Sequence, residues 1–179
     1  MVLTLPPASW AEGMRDYIER NRDFFGPHGP PMPKGDEALT FWQQRLERNR
    51  DEFRDDQSAR FVGALLDDPD RIPIATISFT QIARGVQCSC NLGYAIDSTL
   101  QGFGLMTEAL QVLVRFMFEE RGIHRIEASY APTNERSGQL LRRLGFTVEG
   151  YSRDYLFLDG AWRDHVRTAL VNPSPIYLP

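Results

Sequence analysis

Gln101-Gly102-Phe103-Gly104-Leu105-Met106 stands between a β-rich run, Val86–Ile96, and a long segment with an apolar stripe, Gly104–Glu120. Glycines at that junction let backbone N–H groups turn outward at the start of a helix, where the aligned peptide dipoles favour negative charge. Such a turn suits a diphosphate group; a tight strand-to-helix connection that needs flexible residues is the plainer alternative. A dinucleotide fingerprint would place its third glycine where Thr107 stands and would open the first strand–helix unit of a parallel sheet. A nucleoside-triphosphate loop would follow its glycines with lysine and then serine or threonine, and Leu105-Met106-Thr107 holds no lysine. Neither nucleotide pattern fits, so the surroundings of the turn decide.

Upstream, the runs Arg60–Leu66, Ile72–Ile82 and Val86–Ile96 are divided by the turn signals Asp67-Asp68-Pro69-Asp70 and Arg84-Gly85, which predicts an antiparallel meander. Downstream, Leu105, Ala109, Leu110, Leu113, Phe116 and Met117 recur at helical spacing as far as Gly122, a helix stop. A strand at Arg125–Tyr130, a helix from Asn134 to Leu144 closed by Gly145, and strands around Phe146–Leu158 and Trp162–Val171 follow, the last two joined by the hairpin signal Asp159-Gly160. At the front, Ser9 and Glu12 form a capping box for a helix Trp10–Asn21. Proline and glycine between Phe24 and Gly35 make a loop, and Asp36 caps a second helix carrying Leu39, Trp42, Leu46 and Phe53. This order predicts an α+β fold with a mixed sheet, in one domain over residues 1–179.

Of the 179 residues, 42% are hydrophobic and 25% charged, with a formal charge of −4. That excludes a disordered chain and argues against nucleic acid held by bulk charge. Cys88 and Cys90 share a face if their segment is a strand, and read as buried free thiols of a reducing compartment. His28, His124 and His165 are scattered, so no metal site is expected. No apolar run reaches the roughly 18 residues of a membrane span, and Met1–Pro7 lacks the pattern of an export signal. A soluble, cytoplasmic protein is the expectation.

With these elements in place, the chain resembles the GNAT N-acetyltransferase superfamily and, within it, the RimJ/RimL branch of ribosomal-protein N-terminal acetyltransferases. The family's acetyl-CoA loop, Gln/Arg-x-x-Gly-x-Gly/Ala, is met by Gln101 and Gly104 with Met106 in the last place, a departure in which a side chain shadows one backbone N–H. Tyr94-Ala95-Ile96 matches the strand end that pairs with the pantetheine arm. Asn134-Glu135-Arg136-Ser137 and Leu140-Leu141-Arg142-Arg143-Leu144-Gly145-Phe146 match the segment Asn-x-x-Ser/Ala … Gly-Phe. The stretch Tyr155 to His165 is similar to the RimJ-type C-terminal hairpin. The resemblance runs from about Arg60 to Leu170; the family's first strand is reduced to Val2–Leu5.

The resemblance implies the GNAT fold, a mixed central sheet with an antiparallel meander flanked by about four helices. It implies acetyl-CoA as co-substrate, no metal, and a gap where the strand ending at Ile96 splays from Arg125–Tyr130. Tyr94, Ala95, Ile96, Gln101, Gly102, Phe103, Gly104, Leu105, Met106, Asn134 and Ser137 are then the cofactor-binding residues, with an N–H of Ala95 or Ile96 polarising the thioester carbonyl. The family's thiolate-protonating tyrosine is replaced by Leu141, and Ser137 is the available hydroxyl. The late-strand glutamate of the RimL-like enzymes aligns with Leu156, leaving Asp154, on the same strand face, as the candidate base; Glu127 and Glu149 are rivals, and His165 reads as a packing residue. Arg142 and Arg143 are candidates for the 3′-phosphate, and Trp42 for the rim of the acceptor groove.

The acceptor implied is the α-amino group of a protein, with the N-terminal alanine of ribosomal protein S5 as natural candidate, and the protein a monomer or homodimer. An α-amine, with a pKa of about 7.7–8.0, is partly neutral near pH 7 and needs a weaker base than lysine. A small amine such as a polyamine or aminoglycoside is the alternative acceptor, and a non-catalytic acetyl-CoA-binding regulatory protein the alternative of another class.

Overall fold

The computed structural model describes residues 1–174 apart from positions 28, 30 and 69. Among the described residues, seven strands form one sheet in the order β1-β2-β3-β4-β5-β7-β6, with β1 Val2–Thr4, β2 Ala59–Ala64, β3 Ala75–Ala83, β4 Ser89–Ile96, β5 Arg125–Tyr130, β6 Thr147–Leu158 and β7 Ala161–Val171. The helices are α1 Ala11–Arg20, a single turn α2 Arg22–Phe25, α3 Leu39–Arg54, α4 Leu105–Glu119 and α5 Glu135–Arg143. All neighbouring strands are antiparallel except β4 and β5. The expected meander is β2-β3-β4, and the mixed sheet follows from α4, which must cross over before β5 can lie beside β4.

Alternation along β2 divides the core. Phe61 points into the larger cluster, with Ile77, Phe79, Cys90, Leu110, Met117, Ile126 and Leu141 beneath α4 and α5. Its neighbour Val62 points the other way, to Ala11, Met14, Tyr17, Trp42 and Leu46 of α1 and α3. The stripe on α4 thus covers one face, while α1 and α3 cover the β2 side of the opposite face.

Several local expectations are corrected. Ser9 does not cap α1: a 3₁₀ turn at Ala8–Trp10 leads directly into the helix, and no side chain caps it. Asp36 does not cap α3, whose N-cap is Ala38. Its carboxylate instead takes a bond from Arg22 at 2.9 Å, and its carbonyl takes the Trp42 indole N–H at 2.7 Å. Of the expected loop and acidic turn, His28, Pro30 and Pro69 lie outside the described residues. Asp68 organises that turn by accepting the N–H groups of Asp70 and Ile72, and β3 begins only after Pro73, which has no N–H to donate. β4 begins at Ser89 because Cys88 is left-handed at φ +42°. Cys88 and Cys90 are both buried and free, but only Cys90 lies in the strand, so their shared face does not follow from strand alternation. The Asp159-Gly160 turn has φ +49° and +71°, the pair of left-handed residues that a tight hairpin needs.

Candidate active site

β4 and β5 pair only from Ser89↔Arg125 to Leu92↔Ala128. Beyond Leu92, β4 continues to Ile96 along β3, while β5 continues to Tyr130 along β7. The strands therefore part, and the expected gap is present between Gly93–Ile96 and Ser129–Tyr130. Peptide groups in a strand alternate between neighbours. The Cys88 carbonyl accepts from His124 and Arg125, and the Asp97 N–H donates to Ile74, so even-numbered residues of β4 face β5 and odd-numbered ones face β3. The peptide groups of Tyr94 and Ile96 consequently open into the gap. Those of Ala95 turn to β3, and its carbonyl also accepts the Tyr17 hydroxyl at 3.2 Å; of the two expected N–H donors, only Ile96 points the right way.

After β4 the chain makes a 3₁₀ turn, Ser98–Leu100, and reaches the glycine segment. Gly102 and Gly104 are left-handed at φ +85° and +80°, and a Cβ on either would meet nothing within 4 Å. The glycines are thus required by conformation rather than by crowding. Gly104 is the N-cap of α4, and no side chain caps that helix, which leaves the first-turn N–H groups of Leu105, Met106 and Thr107 directed outward with the positive end of the dipole. Phe103 is 74% exposed, whereas Met106 is only 7% exposed and packs in the core beneath the helix. Met106 therefore does not shadow the turn as expected.

A buried polar network holds this corner, and the sequence pattern did not point to it. Asp97 is 5% exposed. It accepts from Arg20 at 2.7 Å, from Asn21 at 3.1 Å, and from both the N–H and the hydroxyl of Thr99. Asn21 completes the network through the Tyr17 carbonyl and the Ser98 N–H. Burial alone would raise the Asp97 pKa, but bonds from Arg20, Asn21 and Thr99 outweigh it and hold the carboxyl well below the usual range. These residues tie α1 to the end of β4, so the gap and the glycine turn keep a fixed relation.

Across the gap stands the start of α5. Asn134 caps it, its side-chain oxygen accepting the Ser137 N–H at 3.2 Å. The Ser137 hydroxyl lies 2.8 Å from that of Tyr94. Leu141, at the place of the family's tyrosine, is buried in the core. Gly138 is the one glycine here that close packing requires: a Cβ would sit 2.7 Å from the ring of Tyr130.

The remaining candidates fall on the opposite face and the hairpin. Glu127 accepts from Arg125 at 2.9 Å and Arg167 at 3.1 Å, and Glu149 pairs with Arg125, so both rival acids are engaged by guanidinium groups. A double-residue bulge between Ser152 and Leu156 interrupts β6. Because Asp154 within the bulge is left-handed, the alternation that put Asp154 and Leu156 on one face does not hold there. Asp154 is left-handed and exposed, and its N–H donates to Asp164, which also accepts the Tyr151 hydroxyl at 2.6 Å. No hydrogen bond joins Asp154 to Ser137 among the described residues. His165 is buried edge-on to Tyr155, with Nδ1 donating to the Arg163 carbonyl. Trp42 is buried and bonded to Asp36, so it packs rather than lines a rim. Arg142 and Arg143 are exposed on α5.

A splayed strand pair with inward peptide groups fits an extended, amide-bearing arm, and the left-handed turn with an uncapped helix start fits a diphosphate. No group of His, Cys, Asp or Glu among the described residues is placed to hold a metal ion, and no described helix is long and apolar enough to cross a membrane.

Comparison with known proteins bears on this arrangement. Residues 8–147 match the family described as acetyltransferase (GNAT) domain. The chain is 44% identical to the [ribosomal protein uS5]-alanine N-acetyltransferase of Escherichia coli K12 over 161 residues, covering 90% of this chain and 82% of that one. Among solved structures, the ribosomal-protein-S5-alanine acetyltransferase of Vibrio fischeri superposes with a TM-score of 0.90 at 33% identity, covering 96% of this chain and 92% of the other. Mycobacterium smegmatis RimJ, solved in complex with CoA-disulfide, superposes with a TM-score of 0.85 at 27% identity, covering 94% and 80%. The parted strands, the left-handed glycine turn and the matched span together establish that the chain belongs to the GNAT acetyltransferase family.

Proposed function

We propose that the protein transfers the acetyl group of acetyl-CoA directly to the N-terminal α-amino group of a protein, with an alanine-led ribosomal protein of the uS5 type as acceptor. The observation that carries this reading is the parting of β4 and β5 after Leu92↔Ala128 beside the uncapped start of α4. The proposed acceptor comes from the similarity to uS5-alanine acetyltransferases.

Acetyl transfer asks the protein for position, a donor for the carbonyl oxygen and a donor for the departing sulfur. The Ile96 N–H faces the gap and serves the carbonyl. The N–H and carbonyl of Tyr94 and the carbonyl of Ile96 hold the pantetheine amides, and the N–H groups from Gly102 to Thr107 hold the diphosphate. Ser137, at the first turn of α5, donates to the sulfur. Asp154, exposed on the bulge, receives the amine proton through water.

Incubation with acetyl-CoA and an alanine-led peptide copied from the start of uS5 is expected to release free thiol and acetylate the peptide. Ser137→Ala should lower kcat by roughly 10- to 100-fold, and Asp154→Asn should lower it with a shifted pH profile. Rapid turnover on small amines with none on any peptide would overturn the acceptor assignment. Binding of CoA without thiol release on any amine would overturn the catalytic one.

A further inference from the structure

We propose that the side chain of Tyr94 is a positioning residue for the transfer, its hydroxyl donating to Ser137 Oγ so that the serine's own hydrogen is aimed into the gap. This deepens the proposed function and rests on it.

Tyr94 reaches across from β4, with its hydroxyl 2.8 Å from Ser137 Oγ, a contact in which either oxygen can donate, and 3.4 Å from the Ser137 carbonyl; the shorter contact is the one assigned the phenol's single hydrogen. A serine hydroxyl has one hydrogen and can accept from two directions, so the direction of its hydrogen depends on what donates to it. The Ser137 N–H is already committed to Asn134, which fixes the first turn of α5 and leaves the hydroxyl as the movable part. Without the phenol, that hydrogen is free to swing to a nearby carbonyl, as serine hydroxyls near helix starts commonly do. With the phenol as donor, the serine's hydrogen turns away from the phenol and is left for the sulfur. Two hydroxyls in series also strengthen each other as donors.

Burial pushes the Tyr94 hydroxyl up to about 12, with the Ser137 bond acting in the other direction. The phenol therefore keeps its proton, and can donate it in a hydrogen bond, at any pH where an α-amine reacts. During transfer the C–N bond forms as the C–S bond breaks, and the electron pair stays on sulfur. Ser137 donates to that sulfur; the amine's proton passes through water to Asp154, and solvent returns one proton to the thiolate, so the transfer balances. Tyr94 loses no proton. The family's tyrosine position is occupied by buried Leu141, so the phenol next to the α5 start comes from the sheet and acts one bond further from sulfur.

The test needs no acceptor: titrate the thiol of bound CoA by thiolate absorbance on the full chain, and compare wild type, Tyr94→Phe, Ser137→Ala and the double variant. The expected result is that Tyr94→Phe retains CoA affinity within about threefold but raises the bound-thiol pKa by about half a unit to one unit, the size of one neutral hydrogen bond. Ser137→Ala should raise it at least as much, and the double variant no further. In turnover with the uS5-type peptide, Tyr94→Phe should lower kcat about three- to tenfold with KM for acetyl-CoA unchanged. A thiol pKa unmoved by Tyr94→Phe, or additive effects in the double variant, would overturn the role of Tyr94 while leaving the transferase reading intact. Failure of the wild type to bind CoA would overturn the proposed function and this role together.

Discussion

Gly104→Val separates the demands of folding from those of binding. Gly104 holds φ +80° with nothing within 4 Å of where a Cβ would stand, so a Cβ is not crowded there and the main effect of the substitution comes from the backbone. A non-glycine residue in the left-handed region costs about 1–2 kcal/mol, and a β-branched one lies at the upper end. For a chain of this size that corresponds to a fall in Tm of roughly 2–8 °C. Gly85, in the β3–β4 turn, offers a matched control: φ is +68° and its surroundings are equally open. Gly85→Val should therefore lose comparable stability. The two variants part in CoA binding, because letting φ at position 104 relax to negative values turns the first N–H groups of α4 away from the diphosphate. Each charge-assisted bond contributes about 1.5–3 kcal/mol, so losing one weakens binding roughly 10- to 150-fold. Calorimetric titration with CoA, together with thermal melts with and without it, reads both quantities. Equal CoA affinity in Gly104→Val and Gly85→Val would refute the placement of the diphosphate at this turn.

Two further predictions concern the frame around the site. Asp97→Asn removes a nearly buried carboxylate whose main partner, Arg20, is partly exposed, so the loss is discounted for solvent screening to about 2 kcal/mol, or a Tm lower by roughly 4–8 °C at neutral pH. Because the folded-state pKa of Asp97 is depressed, its contribution is complete above the ordinary carboxylate pKa of about 3.9 and fades as pH falls below that value. Melts from pH 7 to pH 3 should show the gap between wild type and variant narrowing, and a constant gap would contradict the assignment. Gly138→Ala should lower stability by about 1–2 kcal/mol, since the 2.7 Å approach to the Tyr130 ring outweighs alanine's better helix propensity. A gain in stability by chemical denaturation would show that the ring does not pack there.

Much of the fold was legible because its signals are local. The stripe from Leu105 to Met117 and the stop at Gly122 marked α4, and Asp159-Gly160 marked the final hairpin. Helix starts were less legible. Ser9 and Asp36 have the residue types of caps, but a 3₁₀ turn replaces the first cap and a salt bridge with Arg22 claims the second. The glycine turn and the Asn134 cap were readable from residue type and spacing. Asp97, Arg20 and Asn21 were not, since a buried network joining α1 to β4 has no spacing in sequence; an acid at the end of an apolar strand was its sole trace. The bulge that carries Asp154 was hidden for a similar reason: it depends on Asp164 across the hairpin, and period-two alternation does not hold through a bulge with a left-handed residue in it.

The central claim is direct transfer to a protein's α-amine in the gap between β4 and β5. Mass spectrometry of a uS5-type peptide that also contains lysine, after incubation with acetyl-CoA and the full chain, tests it most directly. One acetyl group on the N-terminal nitrogen, with one free thiol released per acetyl and a rate strongly reduced by Ser137→Ala, is the predicted result. Acetylation confined to the lysine side chain, or thiol release without a modified peptide, would contradict it.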